Sequence, residues 1–328
     1  MSMPMIPHDV QTEKNHFPIV GQLIVLSLIL VVTFGSLWWL SPNQTETVDP
    51  TSRPMVDLLD VEAQSTDLNV EEVSLRATSA YVWDVRAQRA LYKKNESAVL
   101  PIASITKLMT ALVTHELITD RANVRLPGVA IRQEGNSGLL EGEVLTIEEL
   151  NELALVSSSN DAAFALANTA GALLGDRDPT QQFVTAMNIR ANELQLESLA
   201  FRNTTGLDES TTTPGAVGNA KDISFLLEHI IEAYPEIVSV TTEPTIRVYN
   251  TSGIFHDAEN TNAIVGRIPN LLASKTGYTD LAGGNLTVAF DLGLDRPIII
   301  TVLGSTRDAR FTDVLTLIEA VQNSVEIK

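Results

Sequence analysis

The chain has 328 residues, with 41 acidic and 22 basic side chains and a formal charge of −19 at pH 7. This acidity disfavours general binding to nucleic acid or to anionic lipid. The chain contains no cysteine, which excludes disulfides, a thiol nucleophile and thiolate metal sites. A hydrophobic fraction of 44% is sufficient for a folded core, and the length allows one large domain or two medium ones.

An uncharged stretch near the N-terminus predicts a membrane-spanning helix. No charged residue lies between Lys14 and Glu46, and residues 17–40 within that gap read FPIVGQLIVLSLILVVTFGSLWWL. A helix over this segment would be about 36 Å long, enough to cross a hydrocarbon core of roughly 30 Å. The alternative is a cleaved signal peptide, whose apolar run is usually only about 7–15 residues. We therefore expect an uncleaved signal-anchor that contacts the lipid bilayer through residues 17–40.

Composition divides the rest of the chain into three parts. Residues 1–16 form a short tail that we expect to be cytoplasmic. Residues 41–72 contain three prolines and eight acidic residues against one basic residue, so an extended, self-repelling linker is predicted there. Residues 73–328 then form a single domain by their length.

In chain order, hydrophobic patterning within 73–328 predicts strands at both ends and helices between them. The predicted strands are 80–85, 90–92, 272–275, 286–290 and 297–303. The predicted helices are 104–117, 146–155, 160–173, 180–196, 222–233 and 312–325. Thr146 and Glu149 have the spacing of a capping box at the start of the second helix. This order predicts an α+β fold in which both chain ends complete an antiparallel sheet that is flanked by helices.

The first chemical motif is Ser104-Ile105-Thr106-Lys107. Residues i and i+3 share one face of a helix, so the Lys107 amine can approach the Ser104 hydroxyl. An uncharged lysine can act as the general base for a serine nucleophile when burial or a neighbouring cation lowers its pKa. Ser-x-x-Lys also occurs by chance in a chain of this length, so the pair alone is weak evidence for a catalytic serine.

The second motif is Ser158-Ser159-Asn160, which lies on the connection between two predicted helices. A serine hydroxyl there can relay a proton, and the asparagine amide can hold a substrate carbonyl or fix a lysine. The competing interpretation is ordinary helix capping, because Ser and Asn are favoured N-cap residues.

The third motif is Lys275-Thr276-Gly277, at the end of a predicted strand. Lys275 supplies positive charge, Thr276 supplies a hydroxyl, and Gly277 permits a ligand to approach the strand backbone closely. A plain strand-to-turn transition is the alternative. Two lysines in one pocket would disfavour joint protonation, so one can stay neutral as a base while the other remains cationic.

The order of the three motifs is more specific than any one of them. Ser-x-x-Lys, Ser-x-Asn and Lys-Thr-Gly form the signature of penicillin-binding proteins and serine β-lactamases. The surrounding text, LPIASITKLMTALV, GEVLTIEELNELALVSSSNDAAFALA, FVTAMNIRANELQLESLAFRNTTGLD and ASKTGYTDLAGGNLTVAF, resembles the low-molecular-mass D-alanyl-D-alanine carboxypeptidases over roughly residues 77–325. The resemblance implies a β-lactamase/transpeptidase-like fold and a serine peptidase that trims peptidoglycan stem peptides.

The resemblance implies catalytic roles for the first two motifs. Ser104 would be the acylated nucleophile and Lys107 its base. Ser158 would pass the proton to the leaving group, and Asn160 would orient the substrate and the lysine. Ser159 stands where Gly or Ala is usual, and its small size is expected to preserve activity.

The resemblance also implies a carboxylate-binding group. Lys275 and Thr276 of the Lys-Thr-Gly motif would bind the terminal carboxylate of the substrate, joined by Arg310 in GSTRDARF, with Arg307 as a weaker match. The backbone N–H groups of Ser104 and Tyr278 would form the oxyanion hole. The implied partners are peptidoglycan stem peptides and β-lactams as covalent inhibitors.

Neither a metal nor a cofactor is expected, since the five histidines lack ligand spacing. Family members commonly carry a C-terminal β-domain with an amphipathic membrane helix. This sequence ends at Lys328, so the N-terminal helix is expected to replace that anchor in the cell membrane, with a single pass and an extracytoplasmic catalytic domain.

Three alternatives remain open from the sequence. A DD-endopeptidase would use the same site on crosslinks, and a silent wall-binding protein would use the fold without chemistry. TTTPGAV at 211–217 echoes class A β-lactamases, whose acidic deacylation residue lies in an ExxLN pattern. The nearest text here, from Glu193 to Glu197, lacks the Asn, which disfavours a β-lactamase.

Overall fold

The computed structural model describes residues 73–326, apart from Asn136 and Asp176. The predicted tail, membrane helix and linker, at 1–16, 17–40 and 41–72, lie outside the described residues. Within the described range, no helix combines the length and the apolar character needed to cross a bilayer.

The strands of the central sheet lie at both ends of the described chain, and most of the helices lie between them. The strands are β1 (Ser79–Asp84), β2 (Arg89–Lys94), β3 (Leu100–Pro101), β4 (Asn123–Arg125), β5 (Val144–Thr146), β6 (Ala200–Phe201), β7 (Ala216–Gly218), β8 (Thr245–Tyr249), β9 (Phe255–Glu259), β10 (Leu271–Thr279), β11 (Gly283–Asp291) and β12 (Pro297–Ser305). The α-helices are α1 (Lys107–Leu117), α2 (Ile147–Val156), α3 (Asn160–Gly171), α4 (Pro179–Glu193), α5 (Ala220–Ala233), α6 (Pro235–Ser239) and α7 (Ala309–Glu326). Short 3₁₀ turns cover Ala103–Thr106, Ala130–Arg132, Val240–Thr242 and Val265–Arg267.

A five-stranded antiparallel sheet, in the order β10-β11-β12-β1-β2, forms the centre of the fold. Strand side chains alternate between two faces. In β12, Ile299 and Leu303 join the core that contains α1, α4 and α5, whereas Ile298, Ile300 and Val302 join the core under α7. The sheet is thus covered on both faces, which explains the dense Val, Ile and Leu content of its last strands.

The helical part of the domain has its own core. Helices α2 and α3 pack with Val248 and Ala258 of the β8–β9 hairpin and with Val124 and Leu145 of the β4–β5 pair. The capping box predicted for α2 is confirmed, because the Thr146 side chain accepts from the Glu149 N–H while the Glu149 carboxylate accepts from the Thr146 N–H.

The sequence predicted the antiparallel sheet built from both chain ends, and the structure confirms it. The first predicted helix differs in type at its start: residues 104–106 lie in a 3₁₀ turn, and the α-helix begins only at Lys107. The last helix begins at Ala309, three residues before the predicted start. The predicted elements did not include α6, the β4–β5 pair or the β8–β9 hairpin. The hairpin's exposed and buried residues alternate with charged side chains on the outer face, so it has little hydrophobic signal.

Asp313 fastens the beginning of the domain to α7. Its buried carboxylate accepts hydrogen bonds from the backbone N–H groups of Arg76 and Ala77, at 2.8 and 2.9 Å, and from the Ser305 hydroxyl at 2.6 Å. An ionised acceptor with several donors makes stronger hydrogen bonds than a neutral one.

We expect Asp313→Ala to lower the free energy of unfolding by about 3 kcal/mol, because it leaves buried donors without their charged acceptor. Urea unfolding followed by circular dichroism measures the change. Glu319→Ala, at an exposed position of the same helix, is the matched control and should shift the value by less than about 0.5 kcal/mol. Equal effects of the two substitutions would contradict this role of Asp313.

Candidate active site

Ser104 and Lys107 meet at the junction between a 3₁₀ turn and α1. Ile102 and Ile105 are buried on either side of Ser104 and anchor the turn in the core. In 3₁₀ geometry, residues i and i+3 eclipse one another even more closely than in an α-helix. The Lys107 Nζ accordingly lies 2.9 Å from the Ser104 Oγ.

The Lys107 amine is fully buried, and three oxygens lie within hydrogen-bond distance of its Nζ. Its Nζ donates to the Asn160 Oδ1 at 2.7 Å and to the backbone oxygen of Thr205 at 2.9 Å. Burial lowers the pKa of Lys107 well below its ordinary value, and the positive charge of Lys275 lowers it further. When this amine is neutral, its two N–H groups can donate to these two oxygens. The nitrogen lone pair can then accept from the Ser104 hydroxyl.

Ser158 and Lys275 form a second pair across the site. Ser158 has a φ of 60°, a left-handed conformation that is uncommon for a residue other than glycine and that recurs at functional sites. The Lys275 Nζ donates to the Ser158 Oγ and to the Thr276 backbone oxygen, both at 3.0 Å. Burial lowers the pKa of Lys275 to about 7, with a further contribution from the charge of Arg310.

Helix capping falls on Ser159 and leaves its neighbours available. The Ser159 side chain accepts from the Ala162 N–H at 3.1 Å, at the start of α3. Asn160 instead has its Oδ1 on Lys107, while its Nδ2 donates to the Glu134 backbone oxygen at 2.6 Å. The capping and the chemical interpretations of this motif therefore both apply, to different residues.

The Lys-Thr-Gly motif lies on β10, the outermost strand of the central sheet. A Cβ atom at Gly277 would lie 2.7 Å from the Ile102 backbone oxygen and 3.2 Å from the Ser104 nitrogen. The strand therefore approaches the nucleophile turn more closely than a side chain would allow. The next residue, Tyr278, is 40% exposed, so the strand edge opens to solvent there.

Arg310 reaches the same strand from α7. Its Nη1 donates to the Gly277 backbone oxygen at 2.7 Å, and its side chain is buried. Its Nε has no hydrogen-bond partner among the described residues. Burial lowers the pKa of Arg310 to about 10, followed by the effect of Arg307, whose guanidinium carbon lies 5.0 Å from the Tyr278 ring centroid. Arg310, rather than Arg307, thus has a free buried donor for an anion.

The acidic residues considered for a β-lactamase lie away from this cluster. Glu193 is exposed at the end of α4 and pairs with Arg190 at 3.1 Å, and Glu197 is exposed as well. Neither carboxylate is positioned as a deacylation base beside Ser104.

The loop that contains Thr205 and Gly206 was not among the predicted site residues. Thr205 accepts from Lys107 through its backbone oxygen, and every residue type has such an oxygen, so the sequence cannot indicate this contact. The glycine at position 206 is a signal that the sequence does contain, because its φ is +79° and a Cβ atom there would lie only 2.0 Å from the Ala103 backbone oxygen. The Ala103 oxygen also accepts from the Thr106 hydroxyl at 2.7 Å. The loop at Gly206 therefore packs directly against the 3₁₀ turn that contains Ser104.

We expect Gly206→Ala to reduce the acylation of Ser104 by more than about 100-fold, because the added methyl group displaces the Ala103 carbonyl and a shift of about 1 Å can cost that much. Stopped-flow acylation by a fluorescent penicillin measures the rate. Gly253→Ala is the matched control, since Gly253 also has a positive φ but has open space around its Cβ position. Equal acylation rates for the two variants would show that the contact does not set the nucleophile geometry.

The chain is similar in sequence to known D-alanyl-D-alanine carboxypeptidases and endopeptidases. D-alanyl-D-alanine carboxypeptidase DacF of Bacillus subtilis is 30% identical over 264 residues, which cover 77% of this chain and 64% of that protein. The match therefore spans slightly less than two thirds of that relative. A D-alanyl-D-alanine endopeptidase of Pseudomonas aeruginosa is 31% identical over 237 residues, covering 70% of this chain and 71% of the relative.

Solved structures show the same likeness. Penicillin-binding protein D2 of Listeria monocytogenes, in its ampicillin-bound form, is 29% identical with a TM-score of 0.63, covering 76% of this chain and 99% of that one. A variant of the Streptomyces K15 DD-transpeptidase shares the fold, with a TM-score of 0.69 at 22% identity. The family model described as D-alanyl-D-alanine carboxypeptidase matches residues 65–307, and the chain belongs to this peptidase family.

Proposed function

We propose that this chain is a serine D-alanyl-D-alanine carboxypeptidase that removes the terminal D-Ala of peptidoglycan stem peptides through an acyl-serine intermediate. The observation that carries the proposal is the Lys107 amine. It is buried, its pKa lies well below the ordinary value, and its Nζ lies 2.9 Å from the Ser104 Oγ. In the neutral form its two N–H groups can donate to the Asn160 and Thr205 oxygens, and its lone pair can accept from the Ser104 hydroxyl. A base of lowered pKa adjacent to a serine is the requirement for nucleophilic catalysis near neutral pH.

In the acylation step, the Ser104 Oγ attacks the carbonyl carbon of the penultimate D-Ala while its proton passes to Lys107. The backbone N–H groups of Ser104 and Tyr278 receive the developing oxyanion in this proposal. As the tetrahedral intermediate collapses, the C–N bond breaks, and the proton taken up by Lys107 passes through the Ser158 hydroxyl to the departing D-Ala amine. Water then hydrolyses the ester and restores the Ser104 hydroxyl.

The terminal carboxylate is assigned to a cationic corner of the site. Lys275, the Thr276 hydroxyl and Arg310 lie around the Lys-Thr-Gly motif, where Lys275 and Arg310 donate to the Thr276 and Gly277 backbone oxygens. Each cation is buried, and the electrostatic attraction for one carboxylate is stronger there than at the surface. Asn160 is assigned to hold the substrate amide with the remaining N–H of its Nδ2.

A cleft lies beside Tyr278, at the open end of β10. It has a volume of about 520 Å³ and is lined by residues of two loops and of the strand end, Glu134, Leu207, Asp208, Ser210, Thr211, Tyr278, Thr279, Asp280 and Leu281. We assign it to the acyl portion of the stem peptide, since it begins beside Tyr278, where the oxyanion is placed.

The membrane attachment rests on the sequence. We propose that residues 17–40 anchor the chain in the cell membrane with a single pass and that the acidic linker 41–72 carries an extracytoplasmic catalytic domain. This placement would bring the site to the peptidoglycan and expose it to β-lactams, which are the proposed covalent inhibitors.

Endopeptidase activity on the same site is the second candidate. It is favoured by the relatives named D-alanyl-D-alanine endopeptidase in Pseudomonas aeruginosa and Escherichia coli, at 31% and 29% identity. Purified linear and crosslinked muropeptides separate the two activities. D-Ala release from the linear substrate alone supports the carboxypeptidase, and cleavage of crosslinks at a comparable rate supports the endopeptidase.

We expect a fluorescent penicillin to form a covalent adduct on Ser104, because the activated hydroxyl attacks the β-lactam carbonyl as it would the peptide. Gel fluorescence and mass mapping of the adduct measure it. Ser104→Ala should lose the label completely, whereas Ser97→Ala, at an exposed serine just before the site, should keep it. Undiminished labelling of Ser104→Ala would refute the nucleophile, and muropeptide binding without D-Ala release would indicate a silent wall-binding protein.

The pH profile follows from the two lysines. Lys107 must be neutral, so kcat/KM falls at low pH as this amine is protonated. Lys275 must be cationic to attract the carboxylate, and its pKa is lowered to about 7, so kcat/KM falls again as pH rises past that value. D-Ala release from a synthetic peptide ending in D-Ala-D-Ala, followed from pH 5 to 9.5, tests this expectation.

The alkaline limb is assigned to Lys275 by a charge-preserving variant. Arginine stays protonated throughout this range, so Lys275→Arg should lower the maximum rate and remove the decline above neutral pH. Lys221→Arg, at an exposed lysine on α5, should leave the whole profile unchanged. An identical alkaline limb in Lys275→Arg and the wild type would assign the decline to another group.

A further inference from the structure

Thr261 connects the two halves of the site. It follows β9, and its backbone N–H donates at 3.0 Å to the oxygen of Val156, the last residue of α2 and two positions before Ser158. Its Oγ1 lies 2.6 Å from the Thr276 Oγ1 and 3.3 Å from the same Val156 oxygen. Thr261 thus contacts both the sheet side and the helical side of the site, as the Lys275–Ser158 pair also does.

The backbone around Thr261 is fixed by its neighbours. The Asn260 Nδ2 donates to the backbone oxygens of Thr241 and Glu243, at 2.9 and 2.8 Å. The Asn260 Oδ1 accepts from the Asn262 N–H at 2.8 Å. Thr261 is therefore held in place before any ligand arrives.

The number of protons on the two threonine hydroxyls determines which of them can donate to the other. Each of the two hydroxyls has one proton and can accept. Without a ligand, Thr276 can donate to Thr261, and Thr261 to the Val156 oxygen. When Thr276 donates to a carboxylate, its own oxygen is free to accept, and the Thr261 hydroxyl, whose oxygen lies 2.6 Å away, can donate to it. A hydroxyl that accepts one hydrogen bond becomes a better donor in the next.

We propose that Thr261 is a positioning residue for recognition of the substrate carboxylate. It turns the Thr276 hydroxyl toward the carboxylate and strengthens that hydrogen bond without touching the substrate. This inference rests on the proposed function, because it takes Thr276 as a carboxylate ligand. It also explains why the β8–β9 hairpin ends against the site.

The test compares an anionic and a neutral acyl donor. Second-order acylation rates are measured for benzylpenicillin and for its methyl ester, which lacks the carboxylate charge. We expect Thr261→Ala to lower the ratio of the two rates about tenfold, through the carboxylate-bearing compound, because one hydrogen bond to a charged group is weakened. Thr261→Ser keeps the hydroxyl and should restore the ratio to within about twofold.

Two controls separate positioning from folding. Thr245→Ala, at an exposed position on the same hairpin, should leave both rates unchanged. If Thr261→Ala does not fold, as judged by its thermal unfolding, Thr261→Val keeps the branched shape and should show the same fall in the ratio.

The outcomes distinguish the inference from the function on which it rests. A Thr261→Ala variant that slows both compounds equally, or neither, overturns the positioning role while the wild type still releases D-Ala. A Thr261→Ser variant as impaired as Thr261→Ala overturns it as well. A wild type that neither binds penicillin covalently nor releases D-Ala overturns the proposed function, and the inference with it.

Discussion

Burial of two amines in one pocket is the constraint on which this domain depends. Lys107 is fully shielded from solvent and Lys275 is 1% exposed. A charged amine in that environment is costly unless it is paired, and no carboxylate pairs with either lysine among the described residues. The surroundings instead offer carbonyl and hydroxyl oxygens, which suit a neutral amine and a weakly held proton. The same burial lowers the pKa of both amines.

The chain is acidic overall, whereas the pocket contains basic side chains. Of the formal charge of −19, residues 73–328 contribute −11, from 31 acidic and 20 basic side chains. Long-range attraction would be screened within about 8–10 Å at physiological salt, so it contributes little to capturing an anionic ligand. The proposed carboxylate-binding corner, with the cations Lys275 and Arg310, acts at contact range instead. Exclusion of bulk water, rather than net charge, strengthens its attraction for an anion.

The sequence predicted well those features that reside in residue type. The central sheet has β-branched and apolar runs, and the three motifs contain the side chains that the structure brings together. Gly277 and Ser159 also follow from known preferences for close approach and for capping. The left-handed φ of Ser158 and the 3₁₀ turn at Ser104 depend on tertiary packing, so local propensity could not indicate them.

Contacts made by the backbone, or by a hydroxyl from a distant loop, were not predictable. The oxygen of Thr205 would hold Lys107 equally well if it belonged to another residue type. Thr261 depends on the β8–β9 hairpin, which has little hydrophobic signal and which the motif spacing does not reveal. These residues complete the site because of where the fold places them, and a list of motifs omits them.

The pairing of the chain ends has a kinetic consequence. Arg76 and Asp313 are 237 positions apart, and β1 must pair with β12 to close the sheet that contains the Lys-Thr-Gly strand. Contacts of such long sequence separation form slowly, because the entropy of closing the intervening loop is lost before the pairing stabilises the chain. The core of the helical half is formed by residues between Val124 and Ala258 and needs neither chain end, whereas the proposed carboxylate-binding corner must wait for the last strands and α7. A nascent chain would therefore be catalytically silent until its final helix docks.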